Sequence, residues 1–136
     1  MKGIVLSIFL SVLVFAGSAY AQDLTGKWVP SGPKWGAMAG ESEHEGLNRK
    51  GELWASKDVQ NTLEISKQQE NAFQGEWCTT YECENLVGVI KSNGKIRMVD
   101  EDGFLEAEMD GDKMEVCYFE ADDDLRLAIC QIMEKE

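Results

Sequence analysis

From Thr62 to the C-terminus the chain repeats one unit, a short apolar-rich run followed by turn residues, at intervals of roughly 8 to 12 residues and with no proline anywhere in the stretch. That is the pattern of an antiparallel meander. The runs are Thr62–Lys67, Ala72–Cys78, Glu84–Lys91, Lys95–Asp100, Phe104–Met109, Met114–Glu120 and Leu125–Met133; Leu24–Pro30 ahead of them makes eight strands. Asn93-Gly94 between two runs suits positive φ at both turn centres, and Asp100-Glu-Asp-Gly103 and Asp110-Gly-Asp112 place glycine beside carboxylates that can bond the local backbone. Eight short antiparallel strands can close on themselves and remove their exposed edges. The expected fold is therefore all-β, an eight-stranded antiparallel up-and-down β-barrel, with a small β-sandwich as the alternative. A barrel of this size is either filled by side chains or holds one small ligand.

Alternation sets the phase of most strands. Leu63/Ile65, Phe73/Trp77, Leu105/Ala107/Met109, Met114/Val116/Tyr118 and Leu127/Ile129 point one way, with polar residues between them. On that phase Cys117, Cys130 and Phe119 face outward. The run Glu84–Lys91 is apolar on both faces and leaves its register open.

The N-terminus narrows the compartment. Lys2, the apolar stretch Ile4–Phe15 and the small-x-small pattern Ala19-Tyr20-Ala21 read as a secretory signal peptide over residues 1–21. The folded domain is then 22–136, one domain of 115 residues, too short for a large enzyme core. Without Lys2 it carries 12 basic against 25 acidic residues, a formal charge of −13. Such a surface repels nucleic acid and anionic membranes. No apolar run long enough for a membrane span remains after the leader. An even count of four cysteines in a small exported chain suggests disulfides. Cys78–Cys83 and Cys117–Cys130 are the favoured pairs among three connectivities, because each flanks a hairpin turn. No cysteine follows the cleavage site directly to accept a lipid, so the expected location is periplasmic or extracellular.

One stretch breaks the rhythm. Ser31–Asn61 is rich in glycine, holds Pro33, and carries two of the four tryptophans, Trp35 and Trp54. It reads as a long loop, with a short helix or strand around Glu52–Ser56, and loops of this length are usually functional or disordered. Its tryptophans are expected to fold back over the barrel mouth.

LTGKW at Leu24–Trp28, followed by LEIS and by AFQGEW at Ala72–Trp77, resembles the opening of avidin and streptavidin. Gly26 and Trp28 also resemble the first strand of the wider calycin barrels, lipocalins included. There the tryptophan plugs one barrel end beneath a basic residue of the last strand; Lys135 is the best-placed partner here, ahead of Arg126, through a cation–π contact. The later segments GVI, RMVDEDG, MEVCYFE and LAIC resemble a group of small secreted bacterial avidin-like barrels, which implies the fold and no activity. Biotin binding is not expected. The avidin site uses tryptophans from later strands, and no tryptophan follows Trp77; the late strands bring only Phe104, Tyr118 and Phe119.

Other chemistries lack their residues. The aspartates of the turns do not have the D-x-D-x-D-G spacing of a calcium loop. The cysteine intervals do not suit zinc, and His44 is the sole histidine. No nucleophile elbow, phosphate loop or dinucleotide fingerprint is present. The expectation is a non-enzymatic protein without a catalytic residue, metal or cofactor, binding a small apolar or amphipathic ligand at the barrel mouth through Trp28, Trp35, Trp54, Phe73, Trp77 and Tyr118. The alternative is an acidic protein-binding module, such as an inhibitor of a basic secreted hydrolase. A third reading is an envelope stability factor with no specific ligand.

Overall fold

A computed structural model describes residues 22–40, 53–56 and 61–136. The leader, His44 and the tip of the expected loop lie outside the described residues. The strands are β1 (Gly26–Gly40), β2 (Leu53–Ser56), β3 (Thr62–Gln69), β4 (Ala72–Cys78), β5 (Cys83–Ile90), β6 (Ile96–Val99), β7 (Gly103–Asp110), β8 (Lys113–Ala121) and β9 (Leu125–Lys135). Consecutive strands from β3 to β9 pair antiparallel, and β1 pairs with both β3 and β9. The eight strands β1 and β3–β9 close into a barrel, and β2 is a short extra strand against β1.

The seven later strands begin and end within two residues of the expected runs; β1 does not. It runs ten residues past Pro30, through the first third of the expected loop. The reason is non-local. The eleven residues of β9 offer a ladder from Lys135 to Leu125, and β1 follows it from Trp28 to Gly40. Gly32 and Pro33 lie in an irregularity: four steps along β1 from Pro30 to Lys34 span two along β9, from Met133 to Gln131. Proline lacks an N–H and is tolerated in a sheet at such a bulge. A second correction concerns Asn93-Gly94. Only Gly94 has positive φ, at 83°, and its N–H bonds to the Lys91 carbonyl at 2.8 Å. That geometry fits a type I turn with a glycine bulge. Asn93 stays right-handed and uses its side chain to accept Lys95 N–H at 3.2 Å.

Inside the barrel, Leu24, Leu63, Ile65, Met98, Leu105, Met114, Val116 and Met133 are at most 2 % exposed. The register of β5 is now fixed. Leu86 and Gly88 face inward, while Val87 and Val89 stand outside and are half exposed. One end is closed by Trp28, which is buried, donates its ring N–H to the Leu24 carbonyl at 2.9 Å, and lies under the Lys135 ammonium at 5.6 Å. Gly26 explains the spacing of the motif. Its φ is 119°, a backbone conformation that favours glycine, and a Cβ there would also crowd the Lys135 stem, 3.0 Å from Cε. Arg126 lies at the other end, bonded to carbonyls of the β8–β9 turn.

Cys78–Cys83 and Cys117–Cys130 are disulfide-bonded as expected, each joining directly opposed residues of neighbouring strands with Cα atoms 4.0 Å apart. They close 13 residues in the second case and 5 in the first. By loop-closure entropy, paired replacement of Cys117 and Cys130 by alanine should cost about 3 kcal/mol and that of Cys78 and Cys83 about 2 kcal/mol. Urea denaturation of both variants checks the order. Equal losses, or a larger loss at the short loop, would refute the loop-length account.

Candidate functional site

The polar residues that face the interior gather toward the end opposite Trp28. On one side, β1 and β9 bring Lys34 and Gln131 directly opposite each other, and Asn61 precedes β3. Lys34 is 3 % exposed and donates to Asn61 Oδ1 at 3.0 Å; Gln131 Nε2 donates to the Asn61 carbonyl at 3.2 Å. Burial lowers the Lys34 ammonium to a pKa of about 8.

On another side stand Glu84 of β5, Asp100 after β6, and Tyr118 and Glu120 of β8. Tyr118 donates its hydroxyl to Glu120 Oε2 at 3.3 Å. Asp100 Oδ1 accepts the Gly103 N–H at 2.7 Å, closing the β6–β7 turn. Burial, and then the charges of Asp100 and Asp102, push the Glu84 carboxyl up to about 7. Burial, followed by Asp100, Glu120 and Glu84, likewise holds the Tyr118 hydroxyl well above the ordinary phenol range. This rim can therefore change charge close to neutrality and attracts hydrogen-bond donors.

The aromatic residues expected at the mouth separate into groups. Trp77 and Tyr118 come together from β4 and β8, with ring centroids 6.5 Å apart and planes 5° from parallel. Phe73 lies in the core beside Gly88, and Trp28 plugs the far end. Trp35 does not cap the mouth. Lys34 takes the inward position, so alternation turns Trp35 outward, opposite Cys130 and 37 % exposed. Trp54 is placed on β2 opposite Gly36; its side chain lies outside the description.

Several residues of the site had no role in the sequence reading. Gln131 and Glu120 occupy the inward phase of otherwise apolar strands, a signal that was available. Lys34 was hidden in the expected loop and Glu84 in the run of open register. Among the described residues, one cluster of metal-type donors occurs, Glu76 with Cys78 and Cys83. Its two sulfurs are bonded to each other and offer no thiolate.

Glu84 gives a testable pH dependence. Its folded pKa, about 7, lies above the ordinary value of 4.5. The protonated carboxyl therefore stabilises the fold fully below about pH 4.5, and that contribution is lost as pH rises through 7. Allowing for solvent at the rim, the loss should be about 2 kcal/mol. Glu84→Gln should match the wild type near pH 4.5 and exceed it by about that amount at pH 8, by urea denaturation across pH. Parallel stability curves would contradict the assignment.

No family model, curated protein or solved structure matches this chain.

Proposed function

We propose that the chain is an exported, non-enzymatic barrel that binds a small amphipathic ligand at its open end. One observation carries the reading: the barrel is asymmetric. Trp28, Leu24 and Lys135 close one end, while Lys34, Asn61, Gln131, Glu84, Asp100 and Glu120 turn toward the interior near the other, beside the Trp77–Tyr118 pair. Buried polar groups are costly in a small core unless they serve specificity or a ligand. Export rests on the leader at residues 1–21, and the two disulfides agree with an oxidising compartment. Native mass spectrometry of the protein recovered from its own host should show a bound small molecule that gentle activation removes. The apo mass alone, together with unchanged tryptophan fluorescence across a panel of amphiphiles, would overturn the reading.

A second reading has its own support. The outer faces of β5, β6 and β7 expose Val87, Val89, Val99 and Phe104, next to a groove of about 540 Å³ that these valines line with Lys67 and Arg97. Exposed apolar groups on an acidic protein suit a basic protein partner, such as a secreted hydrolase. Salt-sensitive association with a panel of basic hydrolases would favour this reading, and its absence would remove it.

A further inference from the structure

Two carboxyl groups meet where β5 passes the β6–β7 turn. Asp100 follows Ile96 and Met98 in the inward phase of β6, and Glu84 holds the inward phase of β5, two residues before Leu86. One step beyond the Val87–Val99 pair, the register sets Asp100 opposite Leu86 and diagonally next to Glu84, within reach of its side chain. The two side chains are hydrogen-bonded. Asp100 Oδ2 is buried and, among the described residues, has no N–H or hydroxyl to accept from. Two carboxyl groups share a hydrogen bond only while one of them carries a proton. The titratable groups around the pair are Glu82 before β5, Asp102 in the β6–β7 turn, and Tyr118 and Glu120 of β8; Trp77 of β4 stands opposite Glu84. None of these is a cation that could replace the proton.

Asp100 also ties down the turn. Its Oδ1 accepts the Gly103 N–H at 2.7 Å, whereas its own N–H reaches the Gly103 carbonyl only at 3.3 Å. Gly103 in turn rests on the Tyr118 ring. A Cβ there would lie 2.8 Å from both Cζ and the hydroxyl oxygen of Tyr118, and 2.6 Å from the Phe119 carbonyl oxygen. One carboxylate therefore connects Glu84 of β5 to the turn that lies against Tyr118.

We propose that the Glu84–Asp100 pair is a proton-operated clasp, which fastens the 100–103 turn against Tyr118 while protonated and releases it when the proton leaves to water. Once both groups are charged, two partly buried carboxylates face each other with Asp102 beside them. Glu84 sits in a strand that is paired on both sides, while Asp100 opens a turn held by its own side chain and one long backbone bond. The turn is what gives way. Asp100 rotates outward, Gly103 N–H loses its acceptor, and the turn lifts from the phenol ring. The inference needs neither functional reading, and its failure would leave both standing.

The test is amide hydrogen exchange by NMR on the disulfide-intact mature protein, with the Glu84 carboxyl followed in the carbon-13 spectrum. In the wild type the protection of the Gly103 amide should fall about tenfold between pH 6 and pH 8, because its opening is tied to one proton whose release is centred near 7. This readout needs no variant. In Glu84→Gln the side-chain amide donates to Asp100 Oδ2 at every pH, so protection at pH 8 should stay at the pH 6 level. Asp100→Asn should also abolish the step, since its Oδ1 still accepts from Gly103 and its amide donates to the Glu84 carboxylate. Asp102→Asn removes only a neighbouring charge, and should move the step to lower pH without removing it. Constant Gly103 protection while Glu84 titrates would overturn the proposal, because Glu84 would then swing out alone. A step that persists in Glu84→Gln would overturn it as well, as would a Glu84 carboxyl that titrates in the ordinary carboxylate range.

Discussion

Replacing Trp28 by alanine should cost about 4 kcal/mol of stability and lower the melting temperature by about 15 °C. Three interactions disappear together. The indole is 3 % exposed, so the substitution opens a cavity at the closed end of the barrel. The Leu24 carbonyl loses the indole N–H that it accepts at 2.9 Å, and the Lys135 ammonium loses the ring beneath it. The cavity should dominate. Trp28→Phe retains much of the volume and a ring face while removing the N–H, and should cost about 2 kcal/mol. Lys135→Met removes an exposed cation and its long hydrogen bond to the Asp23 carbonyl, at 3.4 Å, and should cost less than about 1 kcal/mol. Urea denaturation monitored by circular dichroism would rank the three. If Lys135→Met were as damaging as Trp28→Ala, the cation rather than the plug would be what holds this end closed.

The plug was legible in advance through the resemblance of Gly26 and Trp28 to the first strand of calycin barrels, which also pointed to Lys135, two residues past the expected end of the last strand. The runs of β3 to β9 were legible for another reason, because turn residues, and alternation in most of them, agree over short windows. Barrel closure is different. Nothing between Ser31 and Gly40 announces a strand, since its ladder partner lies some ninety residues away in β9. That single misreading hid Lys34 and turned Trp35 toward the wrong side, because one strand position decides both. In β5 the ambiguity came from outside the barrel. Val87 and Val89 are apolar yet face solvent, so Leu86 and Gly88 could not be distinguished from them, and Glu84 could not be placed inside. Gln131 shows the opposite situation. The phase Leu125, Leu127, Ile129, Gln131, Met133 marks it as a polar residue in the core, and such an exception to the pattern is where function is most often found.

Gly75→Ala should be at least as damaging as loss of the plug, by about 4 kcal/mol or more, for a reason that the sequence does not display. Gly75 lies in the inward phase of β4 between Phe73 and Trp77, opposite Ile65 of β3. The β3–β4 register shifts between Ile65 and Lys67, and the two backbones press together beside that bulge. A Cβ at position 75 would lie 2.0 Å from the Glu64 carbonyl oxygen, 2.9 Å from its carbon and 3.0 Å from Ile65 Cα. All three are backbone atoms, and none can rotate away without breaking the ladder. Gly88→Ala provides the contrast. Its Cβ would meet Phe73 Cζ at 2.2 Å and Met98 Cγ at 2.8 Å, both side-chain atoms that can shift, so overpacking should cost only about 1 to 3 kcal/mol. The two also differ in rescue. Phe73→Leu shortens the obstructing ring and should recover part of the Gly88→Ala loss, giving a coupling of about 1 kcal/mol in a double-mutant cycle. No side-chain truncation should recover Gly75→Ala, because the obstruction is the β3 backbone itself. Rescue of Gly75→Ala by Phe73→Leu would show that the β3–β4 pair can separate at this point, and that the bulge does not fix how closely the two strands approach.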